Sequence, residues 1–214
     1  AINYALPSGV ARPTIWMPDR PPARDVWLTR EQAAKLIRAA RRRPETRHLA
    51  RFILIGLYTG SRKTVILGLK WKPHPAGGHV DLATGMLYRK SSGARVTKKR
   101  APSIRIPPKL LAHLLRWHKT RQSDWIIEFR GCGVACVKNA WRTMKTAAGL
   151  PNVTRHTLRH TAITWAMQAG MDMWQATGFF GVSMETLLND YAHHHPDFQS
   201  DAVAAANRAG RRAA

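Results

Sequence analysis

Acidic residues are scarce in this chain: 12 aspartates and glutamates stand against 35 lysines and arginines in 214 residues, a formal net charge of +23. Carboxylates so few and so scattered do not supply the paired acids of a two-metal nuclease. Cysteine is nearly absent too. The two present, Cys132 and Cys136, lie four apart on a stretch that reads as a helix, a spacing that suits a disulfide poorly and cannot hold a metal without further ligands. They are expected to be buried, reduced core thiols, in keeping with a cytoplasmic protein. No apolar run approaches the length of a membrane-spanning helix, and no signal peptide opens the chain. Nor is there a Walker-type glycine loop for nucleotide phosphates or an internal repeat.

What remains is a basic chain with 44% hydrophobic residues. That combination describes a folded body with a positive surface rather than a disordered tail, and nucleic acid is the first partner it implies, ahead of a membrane surface. Residues 1–25 carry five prolines and no apolar period. They read as a linker or arm, and the chain reads as cut from a longer protein. Residues 26–196 form the globular part, and 197–214 an alanine-rich tail with basic ends.

Along the globular part, Thr29 and Gln32 form a capping box ahead of a helix with Ala33, Leu36, Ile37 and Ala40 on one face, ending in Arg41–Arg43. Arg47–Tyr58 reads as a buried helix stopped at Thr59-Gly60, and a second helix spans Arg62–Leu69. Residues 79–90 read as a hairpin turning at Ala83-Thr84-Gly85, and Ser103–Ile106 as a third strand, with a basic loop between. The helix Lys109–Thr120, with Leu110, Leu111, Leu114 and Leu115 in its apolar part, precedes a short strand, Trp125–Phe129, and a helix over 134–148. A helix opens near His156, a short one covers Met171–Thr177, and Ser183 caps a last one carrying Met184, Leu187, Leu188 and Tyr191 on one side. Trp117, Trp141, Trp165 and Trp174 are expected in the core rather than as base-stacking platforms. Consecutive His193, His194 and His195 point in different directions, so no metal site is assigned.

Two arginines stand at helix starts far apart in sequence, Arg62 in TGSRKTVILGLKW and Arg159 in HTLRHT. A basic cluster at a helix start is suited to an anion, since free backbone N–H groups and the positive dipole end point the same way as the side chains. The first motif resembles the first arginine box of the tyrosine recombinases, the phage integrase family, and the second resembles that family's His-x-x-Arg box more specifically. The resemblance runs from about Trp27 to Pro196. It implies a mainly α fold with a small antiparallel β-sheet (α+β), the tyrosine recombinase catalytic domain, here without the upstream domain that usually helps clamp DNA.

The resemblance also implies the chemistry. Tyr191, some thirty residues beyond the second arginine, is the expected nucleophile, joined to a 3′ phosphate as the 5′ oxygen leaves. Arg62 and Arg159 would grip the non-bridging oxygens in forks that lysine cannot reproduce. His156 would assist near the phosphate, and Lys99 would protonate the leaving oxygen, with Lys98 and Lys90 as rivals. Lys98, Lys99 and Arg100 are expected to touch DNA along with the two arginines. No cofactor is implied, since the phosphotyrosine keeps the ester for religation. The expected partners are a double-stranded DNA attachment site, further protomers assembled on it and an accessory directionality factor. The expected place is the cytoplasm, on the nucleoid.

Two positions depart from the family. Val65 stands where a glutamate helps hold the first arginine, and Val182 where a histidine or tryptophan contacts the phosphate. Losing such a donor costs on the order of tenfold to a thousandfold; His160, His193 and His194 are the candidates to compensate. His160 is otherwise expected to pack or to make a supporting hydrogen bond. Lower activity or dependence on partners is the expectation. The alternative functions are a DNA-binding regulator that has lost catalysis and a type IB topoisomerase.

Overall fold

In the computed structural model, residues 26–91 and 100–212 are described; the arm 1–25, the segment 92–99 with Lys98 and Lys99, and the last two residues lie outside that range. Helix α1 (Arg30–Arg42) begins at the expected capping box, with Thr29 Oγ1 accepting from the Gln32 amide and the Gln32 side chain accepting from the Thr29 amide. It buries Ala33, Leu36, Ala39 and Ala40 against α2 (His48–Thr59), whose face and flanks are nearly all apolar and fully buried. Helix α2 is the axis of the domain. Its far side meets α6 (Thr157–Gln168), another buried helix, and its C-terminal end leads through Gly60 to the short α3 (Lys63–Leu67).

Beside α3 lies an antiparallel sheet in the order β1 (His79–Asp81), β2 (Met86–Tyr88), β3 (Ile104–Arg105), with Val80 opposite Leu87 and Leu87 opposite Ile104. Asp81 makes the expected turn, its carboxylate accepting from the Ala83 and Thr84 amides and the Thr84 hydroxyl. Helix α4 (Pro108–Lys119) follows, with Leu110 and Leu114 buried. A smaller hairpin pairs β4 (Glu128–Phe129) with β5 (Cys132–Gly133), and α5 (Lys138–Ala147) packs on α1. Helices α7 (Met173–Phe180) and α8 (Met184–Asp190) close a satellite core on α6 made of Ala162, Ile163, Met167, Ala176, Phe180, Leu187 and Tyr191. The tail is helical over α9 (Ser200–Arg212). This is the mainly α architecture with a small antiparallel sheet that the sequence implies, and no helix among the described residues is long and apolar enough to cross a membrane.

Several local expectations are corrected. The two cysteines are not on a helix and not buried: Cys132 belongs to β5, Cys136 to the loop after it, and both are exposed. Arg130 and Gly131 take positive φ (52° and 74°), a hairpin turn that reverses the chain before any helix can start. The stretch before it ladders only at Glu128–Phe129, while Trp125 bridges Lys70. Helix α7 runs on to Phe180, so Phe179 and Phe180 lie inside it rather than beyond it. Trp174 is 76% exposed, on the side of the eight-residue helix away from Ala176 and Phe180, its buried residues. Leu115 and Leu188 also face solvent.

His48, at the first turn of α2, is 8% exposed with neither ring nitrogen hydrogen-bonded, and its ring packs at 5.4 Å from that of Phe129. Burial lowers its pKa from the usual 6.5. The unfolded chain therefore takes up a proton near pH 6.5 while the folded one resists until lower pH, so stability falls as pH drops below that value. His48→Phe is expected to be more stable by about 1 kcal/mol, since it removes an unsatisfied buried polar group where an adjoining cavity gives the ring room. Its advantage should widen between pH 7.5 and pH 5 in urea unfolding.

Candidate active site

Helices α2 and α7 end side by side, each turned by a left-handed glycine: Gly60 at φ 60° and Gly181 at φ 63°. The last carbonyls of a helix lack intrahelical partners and carry the negative end of its dipole. Two buried guanidiniums take them up. Arg159, in the first turn of α6 and 6% exposed, donates from one terminal nitrogen to the Gly60 carbonyl at 2.7 Å and from the other to the Gly181 carbonyl at 3.4 Å. Its position follows from the start of α6, where Thr154 and Thr157 exchange amide-to-hydroxyl hydrogen bonds around His156.

The second guanidinium belongs to Arg89, a residue the sequence reading passed over. It is 4% exposed and donates to the carbonyls of Thr59 (2.6 Å), Phe179 (2.7 Å) and Pro102 (3.3 Å) and to the Ser61 hydroxyl (3.0 Å). The strand period holds the missed signal: Arg89, the residue just after β2, keeps the alternation and faces inward like Leu87, two residues earlier. Burial, then the charges of Arg159 and Arg62, pulls its pKa down to about 9. Burial and Arg62 likewise pull Arg159 down to about 10, with Tyr191 opposing. Both cations are thus held at a cost, and among the described residues neither forms a salt bridge to a carboxylate. Arg89→Met is expected to lose about 1–3 kcal/mol in chemical unfolding, because the Thr59 and Phe179 carbonyls are left buried without a donor.

Arg62 caps α3 and extends across the site, donating to the Arg100 carbonyl at 2.7 Å. This contact anchors it where Val65 offers no carboxylate. The four sequence-candidate groups Arg62, His156, Arg159 and Tyr191 line one cleft of about 480 Å³, together with His160, Val182 and Arg100. A second hollow, of about 240 Å³, shares Arg62, His156 and Arg159 with it and continues past Lys63 and Arg155. Desolvation, then the charges of His160, Arg159 and Arg62, lowers the pKa of His156. Tyr191, at the C-terminal end of α8, is 5% exposed and sunk in the satellite core, with its hydroxyl 2.7 Å from Nδ1 of His160. His160 therefore lines the cleft itself rather than only supporting it from behind. Lys98 and Lys99 fall outside the described residues; Lys90, half-buried, directly follows Arg89.

The arrangement is a cationic cleft lined by the buried Arg159, the half-buried Arg62, the exposed Arg100, two imidazoles and a phenol, suited to a phosphate held against an oxygen nucleophile. A family model described as the phage integrase family matches residues 26–197. Among curated proteins, none matches the chain. Three similar solved structures share the fold. The XerA recombinase is 22% identical with a TM-score of 0.61, over 87% of this chain and 65% of its own. The catalytic domain of bacteriophage HP1 integrase is 18% identical with a TM-score of 0.55, over 83% and 93%. The Tn1549 transposon integrase, in complex with circular intermediate DNA, is 19% identical with a TM-score of 0.65, over 85% and 67%. The chain thus spans just under two thirds of the XerA recombinase and nearly all of the HP1 catalytic domain.

Proposed function

The chain belongs to the phage integrase family, and from that membership we propose that it cuts and rejoins DNA at specific sites through a covalent 3′-phosphotyrosine on Tyr191. The observation that carries this reading is the convergence of Arg62, His156, Arg159 and Tyr191, from three separate stretches of sequence, on one cleft. Arg62 and Arg159 bind the non-bridging oxygens of the scissile phosphate. Their backbone anchors leave other guanidinium donors for the substrate, and among the described residues neither forms a salt bridge with a carboxylate. A phosphate entering the cleft supplies the counter-charge that the buried cations lack.

In the reaction the Tyr191 oxygen attacks phosphorus and the 5′ oxygen departs with a proton from a general acid, a role we assign to Lys99, with Lys98 and Lys90 as rivals. His156, neutral at physiological pH by virtue of its lowered pKa, donates a hydrogen bond to the phosphate. The substrate is a double-stranded attachment site of a mobile element, which further copies of the chain assemble on, with an accessory factor setting direction. The Tn1549 integrase and the XerH recombinase, both similar in fold, are solved bound to DNA. Val182 favours a second reading, a DNA-binding regulator with little catalysis, because an alkyl group lines the cleft where a donor is expected.

The test is covalent capture on nicked duplexes tiled across the DNA flanking the gene. The expected result is a protein–DNA adduct that survives denaturation and maps to the peptide containing Tyr191. Salt-sensitive, sequence-specific binding with no adduct on any bound duplex would establish the regulator instead.

A further inference from the structure

Within the cleft, Oη of Tyr191 lies 2.7 Å from Nδ1 of His160, a hydrogen-bond distance. Their rings lie 5.8 Å apart and tilted by 31°, so the imidazole edge faces the hydroxyl. His160 is one helical turn beyond His156 on α6, and the two rings meet edge to face at 4.8 Å. A phenol that donates to Nδ1 requires that nitrogen to be bare and the proton of the neutral imidazole to sit on Nε2. The charged and titratable groups around the cleft favour that state: Arg62 from the α2–α3 turn, Arg100 from the segment before β3, and His156 and Arg159 at the start of α6, against Asp190 of α8 as the one acid among the described residues of the lining. A second proton on His160 would join three guanidiniums.

We propose that His160 is the general base of strand cleavage, taking the phenolic proton of Tyr191 at Nδ1. This rests on Tyr191 being the nucleophile, as argued above. As the Oη–phosphorus bond forms and the bond from phosphorus to the 5′ oxygen breaks, the proton of Oη passes to Nδ1. The 5′ oxygen leaves with a proton from the general acid assigned above. In religation the steps reverse, and the imidazolium returns its proton to Oη as the phosphotyrosine bond breaks. The inference separates the duties of the two histidines. His156 addresses the phosphate and His160 the nucleophile, and the latter duty needs nothing from position 182.

Two measurements test it. In the free protein, ¹⁵N imidazole spectra should show Nδ1 of His160 unprotonated, with its shift moving in Tyr191→Phe. An Nδ1–H tautomer overturns the proposal whatever the DNA substrate. On a nicked duplex that wild type captures, His160→Asn places an amide oxygen near the Nδ1 position, which keeps the hydrogen bond but cannot hold the proton. It should slow adduct formation by about a hundredfold or more. The pH dependence of capture should also differ between wild type and the variant, which has no imidazole to hold the proton. Wild-type rate and an unchanged pH profile in His160→Asn, with Tyr191→Phe inert, would discard the base and keep the nucleophile. Equal capture by Tyr191→Phe would discard the nucleophile itself.

Discussion

Arg159→Lys is expected to slow covalent capture of DNA by roughly 10²–10³-fold, the cost of removing one preorganised donor from a developing phosphoryl charge. The expectation comes from how the guanidinium is used. One terminal nitrogen is committed to Gly60 and the other, more weakly, to Gly181, while the side chain still lines the cleft. A planar fork can serve two carbonyls and a phosphate oxygen at fixed angles; an ammonium cannot span the two helix ends and reach the phosphate as well. Overall DNA affinity should change only severalfold, because the chain carries 35 basic residues and non-specific binding is shared among many phosphate contacts. Single-turnover adduct rates alongside filter binding separate the two quantities. A loss that appears in affinity and not in the rate of capture would assign Arg159 to DNA binding alone.

Gly60→Ala is expected to cost about 2–4 kcal/mol of folding stability. About 1–2 kcal/mol follows from holding a non-glycine residue in the left-handed region. The remainder is steric: a Cβ at this position would lie 2.6 Å from Cδ1 and 3.1 Å from Cε1 of Phe180, a ring buried in the satellite core. Relief requires α7 to shift, and α7 carries the Phe179 and Gly181 carbonyls that hold Arg89 and Arg159. Stability and the rate of capture should therefore fall together. Urea unfolding and adduct formation, measured on the same preparation, check this; a destabilised variant with undiminished capture per folded molecule would show that the arginines do not depend on the junction.

Features written in short stretches of sequence were legible. The Thr29–Gln32 box, the Ser183 cap and the hairpin turn at Ala83-Thr84-Gly85 are each local, and each is found where the local chemistry places it. The grouping of Arg62, His156, Arg159 and Tyr191 in one cleft was legible through two motifs and one spacing, a reading that the family match supports for the chain as a whole. What was hidden depends on distant partners. Arg89 acquires its place from Phe179, ninety positions on; the strand period marks which way its side chain faces but not the helix end that it meets. His160 faces the cleft because α8 brings Tyr191 to it across thirty-one positions. Trp174 reads as core by type, yet it lies on the side of α7 away from the buried residues. The cysteines were misplaced because a positive-φ turn at Arg130, not an apolar period, governs that stretch.

The carbonyl anchoring has a consequence for how the site withstands sequence drift. An acidic residue that steadies an arginine can become an amide through one base change, and the arginine is then adrift. The oxygens of residues 59, 60, 179 and 181 occupy no codon of their own, and any replacement that leaves the two helix ends in place preserves them. What the anchoring needs from the sequence is therefore mainly the pair of left-handed glycines, Gly60 and Gly181, at which the two helix ends turn.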